Sequence, residues 1–347
     1  MKKLTRRDFL KASAAAGAML PLACVTARTD EDPPVAANGI PRRKLGKTGV
    51  PVTIVGLGCA HIAKKNIHTR AIVETALDSG VRYFDTAPEY SGYSEASEEA
   101  LGPLLADVRD EVFLATKLDH TSAKEAETDL QESLKRLKTD HVDLLLLHGV
   151  GLPNDWQDAE RVCAEDGALA YLRKAKRDGL TRFIGMSVHQ PHWHARQVLE
   201  KAEDLDVVMP FVNHMAMSTD STTGATQKAH RVANKAIVKD TGNIITRCHK
   251  MGMGIVAMKV LGGSGQLAKD YDRSFRYPLS MPGVACALVG VKSPEEVRRA
   301  VRAAKEFRPL TPDEMKEATE AGAALIRERA VEYAQLRSHF ARDAGSA

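Results

Sequence analysis

From residue 50 onward, short and nearly unbroken apolar runs alternate with amphipathic stretches along the chain. The runs are VTIVGLG (52–58), VRYFDTA (81–87), VFLATK (112–117), VDLLLLHG (142–149), RFIGMSV (182–188), VVMPFVN (207–213), GIVAMKV (254–260) and ACALVGV (285–291). Continuous apolarity of this length is expected of parallel strands covered on both faces. Between the runs, TRAIVETALDSG sets apolar residues at helical spacing and stops at Gly80, while TDLQESLKRLKTD arranges acids and bases around a leucine stripe. Eight strand–helix units over about 270 residues predict a (β/α)8 TIM barrel of class α/β. A doubly wound sheet is the competing solution, and it needs a Gly-rich fingerprint after its first strand. GLGCAH (56–61) has two of the three glycines and no helix signal directly behind it, so the barrel is preferred. Ahead of the first run, RRKLGKTGVPVT reads as an N-terminal hairpin turning at KTG and covering the barrel bottom. After the last run, TPDEMKEA opens a C-terminal helix with a Thr cap and a Pro in its first turn.

Composition adds an address. The apolar content of 44% supports a sizeable core, and the formal charge is +4. That charge sits in the head, where Lys2, Lys3, Arg6, Arg7 and Lys11 face Asp8, five against one. The remainder is close to neutral, which excludes a basic nucleic-acid footprint. Behind the head lies a weakly apolar segment of roughly a dozen residues, too short to span a bilayer. TRRDFLK (5–11) resembles a twin-arginine export signal, which implies the twin-arginine translocase as a partner and a periplasmic destination. LPLAC can serve as a lipobox, making a lipid on Cys24 the one membrane attachment; VTA (25–27) offers a rival cut for soluble release. The expected organisation is a signal peptide over 1–27, a Pro-rich tether over 28–41 and the barrel with its C-terminal helix over 42–347. Cys59, Cys163, Cys248 and Cys286 have neither metal-like nor disulfide-like spacing and read as free thiols, three of them in apolar segments.

The candidate chemistry is found by reading only the C-terminal ends of the strands, where barrels of this kind place their active sites. Asp85 closes the second run, Lys117 the third and His148 the fourth, with Tyr90 on the loop after Asp85. Each has a bland alternative as a helix cap, a core edge or a satisfied loop residue. Three ionisable groups at three successive apolar strand mouths are a stronger pattern than any one of them.

At these residues the sequence resembles the aldo-keto reductases, from Arg42 to about Leu310. DTAPEY…SEEALG, LATK and DLLLLH are similar to that family's signatures on strands two, three and four. The resemblance implies an NAD(P)-dependent oxidoreductase with Asp85, Tyr90, Lys117 and His148 as its catalytic tetrad, acting on a small-molecule carbonyl or alcohol. It implies NADP in preference to NAD, through Gly290, Lys292, Ser293 and Arg298 in GVKSPEEVRRAV. It also implies nicotinamide-side contacts from Ser187, Asn213, Met258, Lys259 and Leu261. Val188 stands where the family usually has Asn, and Met258 where many relatives place a stacked tyrosine. Tyr93 reads as a loop aromatic, and Trp156 as a substrate wall. Two alternatives stay open. One is a non-catalytic redox sensor that keeps the nucleotide. The other is a metal-dependent barrel isomerase using His189, His192 and His194, whose loose spacing and missing carboxylates speak against a metal site.

Overall fold

The first apolar run breaks in two. Pro51–Thr53 (β2) pairs antiparallel with Arg42–Lys44 (β1), and after Ile54 the chain enters the barrel as Val55–Gly58 (β3). In the computed structural model, the described residues are 39–62, 67–88, 97–150, 158–189, 193–215, 244–262, 265 and 267–325. The chain divides into two units, Met1–Asp32 and Pro33–Ala347, and every described residue lies in the second. Packed structure starts slightly ahead of the expected tether end. Ile40 is fully buried, and the Pro41 carbonyl accepts from Ile54 N–H at 3.0 Å.

The other runs supply β4 (Tyr83–Asp85), β5 (Phe113–Leu118), β6 (Val142–Val150), β7 (Thr181–Val188), β8 (Val207–Pro210), β9 (Gly254–Ala257) and β10 (Val284–Gly290). With β3 they close a barrel in the order β10-β3-β4-β5-β6-β7-β8-β9, every pair parallel. The expected (β/α)8 fold is therefore the observed one. Strand alternation splits the side chains into two cores. Leu57, Leu114, Leu145, Leu147 and Ile184 face the surrounding helices. Tyr83, Phe113, Ala115, Leu144, Leu146, Val207, Met209 and Val256 fill the barrel interior. The rings of Tyr83 and Phe113 stack there with centroids 4.9 Å apart.

The hairpin closes the N-terminal end, as expected. Leu45 and Val52 join the interior cluster, and Lys47 N–H bonds Gly252 O at 2.5 Å beside the start of β9. Gly46 needs its φ of +50° here, and a Cβ on it would lie 2.3 Å from Gly254 N, so no side chain fits. At this same end Asp143 binds three strand beginnings together. Its carboxylate accepts from Leu114 N–H at 2.9 Å, from Arg109 at 2.9 Å and from Arg182 at 2.6 Å.

The helices follow their local signals. Thr69–Asp78 ends before Gly80 at φ +89°. Ala123–Leu137 begins at Ser122, whose hydroxyl accepts from Glu125 N–H. The C-terminal helix, described over 312–325, starts at a reciprocal cap: Thr311 N–H bonds Glu314 Oε2 at 2.8 Å and Glu314 N–H bonds Thr311 Oγ1 at 3.2 Å. Cys59, Cys248 and Cys286 are buried and free, and Cys163 is half-buried and free. Among the described residues, no helix is long and apolar enough to cross a membrane.

Candidate active site

The alternation that fills the barrel also decides what stands at its mouth. On β4 the inward row runs Tyr83, Asp85; on β5 it runs Phe113, Ala115, Lys117; on β6 it runs Leu144, Leu146, and then His148. Each row is apolar until its last member, where an ionisable group takes over. The register brings the three together. Asp85 lies level with Ala115, one inward position below Lys117, and Lys117 lies level with Leu146, one inward position below His148.

Asp85 and Lys117 form a buried ion pair, 4% and 2% exposed. Lys117 Nζ is 2.9 Å from both Asp85 carboxylate oxygens and donates to the Thr86 carbonyl at 2.6 Å. Such a pair is costly to desolvate and costlier to break, since removing one partner strands a buried charge. It is held from behind. Thr86 and Ser97 exchange a hydroxyl hydrogen bond. Glu98, fully buried, accepts from Thr116 at 2.5 Å and from Arg136 Nε at 2.8 Å, which ties the helix Ser97–Leu105 to β5 and to the helix Ala123–Leu137. The SEEALG motif thus contributes a structural carboxylate.

His148 is placed by a residue that strand-end reading missed. Its Nδ1 meets Asp119 Oδ1, two residues beyond Lys117. The signal in the sequence was LDH immediately after LATK, an acid two residues past the lysine at the same strand end. Two other buried polar side chains lie close to Asp85. Burial pushes the Cys59 thiol up, with the Asp85 charge adding to the effect. Burial likewise holds the Tyr83 phenol well above its ordinary range, again with Asp85 adding. Tyr83 is therefore no proton donor at neutral pH. Tyr90, Tyr93, Trp156 and His192 lie outside the described residues.

The residues expected to hold a nucleotide occupy the other half of the rim. Ser187 is fully buried, with its hydroxyl donating to Leu147 O at 3.3 Å and accepting from Gly149 N–H at 2.8 Å, so it stitches β7 to β6. Asn213 Nδ2 donates to Lys259 O at 3.1 Å. That carbonyl belongs to a residue in the left-handed region, Lys259 at φ +54°. Met258 ends the inward row of β9 and bridges Phe211, and Leu261 packs half-buried on the outer core. Gly290, exposed at the end of β10, would place a Cβ no nearer than 3.7 Å to any neighbour. Ser293 caps the helix Pro294–Lys305 by accepting from Glu296 N–H at 3.3 Å, and Glu296 accepts from Lys292 N–H at 2.6 Å. Arg298 is exposed, with only a 3.5 Å contact to Glu295. The helix start is flanked by Lys292 and Arg298 and carries Glu295 and Glu296 in its first turn. Among the described residues, no cluster of His, Cys, Asp or Glu of metal-holding size occurs.

Comparison with known proteins accounts for this arrangement. The aldo/keto reductase family model matches residues 55–278. The chain belongs to the aldo/keto reductase family. A second model, the twin-arginine translocation pathway signal sequence, matches residues 3–20. Among relatives, the uncharacterized oxidoreductase YqkF of Bacillus subtilis is 25% identical over 308 residues, covering 79% of this chain and 94% of that protein. Methylglyoxal reductase DkgB of Salmonella typhi is 34% identical over 141 residues, covering 39% of this chain and 48% of that protein. The holo form of an aldo-keto reductase from Bacillus halodurans shares the fold at a TM-score of 0.62 and 20% identity, covering 81% of this chain and 96% of its own. This aldo/keto reductase is an oxidoreductase whose family generally uses nicotinamide cofactors.

Proposed function

We propose that this aldo/keto reductase interconverts carbonyl compounds and alcohols with NADP as hydride carrier and NAD as the second choice. The observation that carries the reading is the buried Asp85–Lys117 pair at the C-terminal rim, one inward position from His148. Tyr90, five residues beyond Asp85, is the proton donor. A phenol is a poor acid at neutral pH, with an unperturbed value of about 10. An ammonium about 4 Å away favours phenolate by about 4 kcal/mol at an effective dielectric near 20. The Asp85 charge opposes part of that, leaving a smaller downward shift. Asp85 holds Lys117 in place, and His148 stands beside the reacting oxygen.

When bound, the nicotinamide supplies the hydride that attacks the carbonyl carbon. Tyr90 gives its proton to the carbonyl oxygen, so one hydride and one proton convert carbonyl to alcohol. Met258 offers a thioether face to an aromatic ring, a favourable contact. Asn213, Lys259 and Leu261 shape the adjoining wall, and Ser187 supports it from beneath. Gly290, Lys292, Ser293 and Arg298 hold the far phosphate at the helix start.

We assign residues 1–27 to the signal peptide, 28–41 to the tether and 42–347 to the barrel with its C-terminal helix. The twin-arginine translocase delivers the protein to the periplasm, where it is either released after Ala27 or anchored by a lipid on Cys24. The decisive experiment is steady-state reduction of an aldehyde panel with NADPH and with NADH. Wild type turns over, and Tyr90→Phe loses at least about a hundredfold in kcat. Full activity in Tyr90→Phe would refute the assignment.

A further inference from the structure

We propose that Asp119 is a positioning residue that fixes the tautomer of His148, so that this imidazole can donate a hydrogen bond to the substrate oxygen only as the imidazolium. The inference rests on the reductase reading above. It starts from the contact between His148 Nδ1 and Asp119 Oδ1. An ionised carboxylate has acceptors and no donors, so the hydrogen must sit on Nδ1. In a neutral ring the remaining nitrogen, Nε2, then carries a lone pair. Facing a carbonyl oxygen, a lone pair gives repulsion where a hydrogen bond is needed. Protonation at Nε2 converts it into a charged donor, and the Asp119 carboxylate stabilises that charge.

The carboxylate is aimed by a fixed turn. Asp119 N–H and His120 N–H both bond Asp129 Oδ2, at 2.8 and 3.0 Å, and His120 Nδ1 meets Asp129 Oδ1 at 2.9 Å. Asp129 lies on the helix Ala123–Leu137 and is largely buried. The loop after β5 is therefore clamped to that helix, and His148 is clamped to the loop. The charged and titratable groups on and behind this loop are Asp119, which meets the ring, and His120, Asp129 and Glu125, which cluster around His120. Across the rim stand the Asp85–Lys117 pair, with His189 just past β7. Asp119 is thus the structural reason His148 would serve as a cationic electrophile, and a neutral Nε2–H donor is excluded.

The test reads the ring directly. Protein labelled with ¹⁵N in its histidines is followed by proton–nitrogen correlation spectra, with His148→Gln identifying the resonances. In wild type the neutral ring is expected to carry its hydrogen on Nδ1, and in Asp119→Ala to shift to the Nε2–H form. The same variants are compared in the NADPH-dependent reduction of 4-nitrobenzaldehyde. The ratio of kcat/KM for Asp119→Ala to that of wild type should rise about tenfold from about pH 6 to about pH 9. The variant regains a neutral donor over the range in which wild type loses its charged one. A role confined to stability would move neither the tautomer nor the pH trend of this ratio.

A neutral wild-type ring carrying its single hydrogen on Nε2 overturns the proposal, as does an unchanged tautomer in the variant or a flat ratio. If Asp119→Ala does not fold, Asp119→Leu, which removes the acceptor at similar size, carries the same expectations. The spectra need no turnover, so a protein that reduced no carbonyl would defeat the reductase reading while leaving this one open to its own test.

Discussion

At the residue scale, Asp85, Lys117 and His148 were legible because each stands at the C-terminal end of an apolar run, and in the barrel each continues an inward row by two positions. Asp119 was not, because its partner lies 29 residues away on the next strand and only the register brings them together. His214 was hidden for a similar reason. It is fully buried, neither ring nitrogen has a hydrogen-bond partner among the described residues, and its ring meets Tyr277 edge-on at 6.0 Å. Burial pulls its pKa from 6.5 to about 4, opposed by Asp270 and assisted by Arg273. The folded value lies below the unfolded one, so the unfolded chain binds the proton first. The contribution is complete above about pH 6.5, is lost as pH falls from there to about 4, and is constant below that. It amounts to about 3 kcal/mol at most. Urea unfolding of wild type and His214→Leu across this window should show the wild type losing more stability on acidification. Equal losses would mean that this ring is not what senses the acid.

At the element scale, caps and breakers told where most helices begin and end, and long-range packing decided the rest. The run 52–58 read as one strand, yet it serves two sheets, because Val52 must meet the hairpin while Val55 and Leu57 meet the barrel's helices. The helix Ala123–Leu137 ends against its sequence. Lys138 takes the left-handed cap at φ +54°, with its N–H reaching Leu134 O and Lys135 O, a place that glycine fills more cheaply. Lys138 is exposed, so Lys138→Gly should stabilise the protein by about 0.5–1 kcal/mol, read as a higher denaturant midpoint with unchanged slope. The C-terminal helix shows the opposite case. A Cβ on Gly322 would lie 2.0 Å from His214 O, so only glycine lets that helix settle at this depth, and no local signal announced it.

At the scale of the whole molecule, an export signal and a nucleotide-dependent family sit on one chain. Nicotinamide nucleotides are scarce beyond the cytoplasm, so a reductase that exchanged its cofactor freely would run down after export. A route that carries folded cargo resolves this if the nucleotide is bound first and retained. Mass spectrometry of small molecules released from protein purified after export should find close to one NADP(H) per chain. Protein recovered without nucleotide, together with rapidly exchanging micromolar binding, would contradict retention. Replacing Arg6 and Arg7 by lysine should leave the protein in the cytoplasm with its aldehyde reduction intact.

Much of this protein was determined by local pattern. Run lengths, helical spacing and capping residues fixed the barrel and its strand order, since short-range backbone preferences and burial on both faces act within a few residues of chain. The identity of the rim acids and bases followed from their place at the ends of the apolar runs, for the same reason. The tertiary structure alone decided which groups meet across strands: Glu98 with Arg136, Asp143 with Arg109 and Arg182, and Asp119 with His148. Such pairings depend on register and on the depth at which helices settle, which are set by the whole packed core and which neither partner's local sequence specifies.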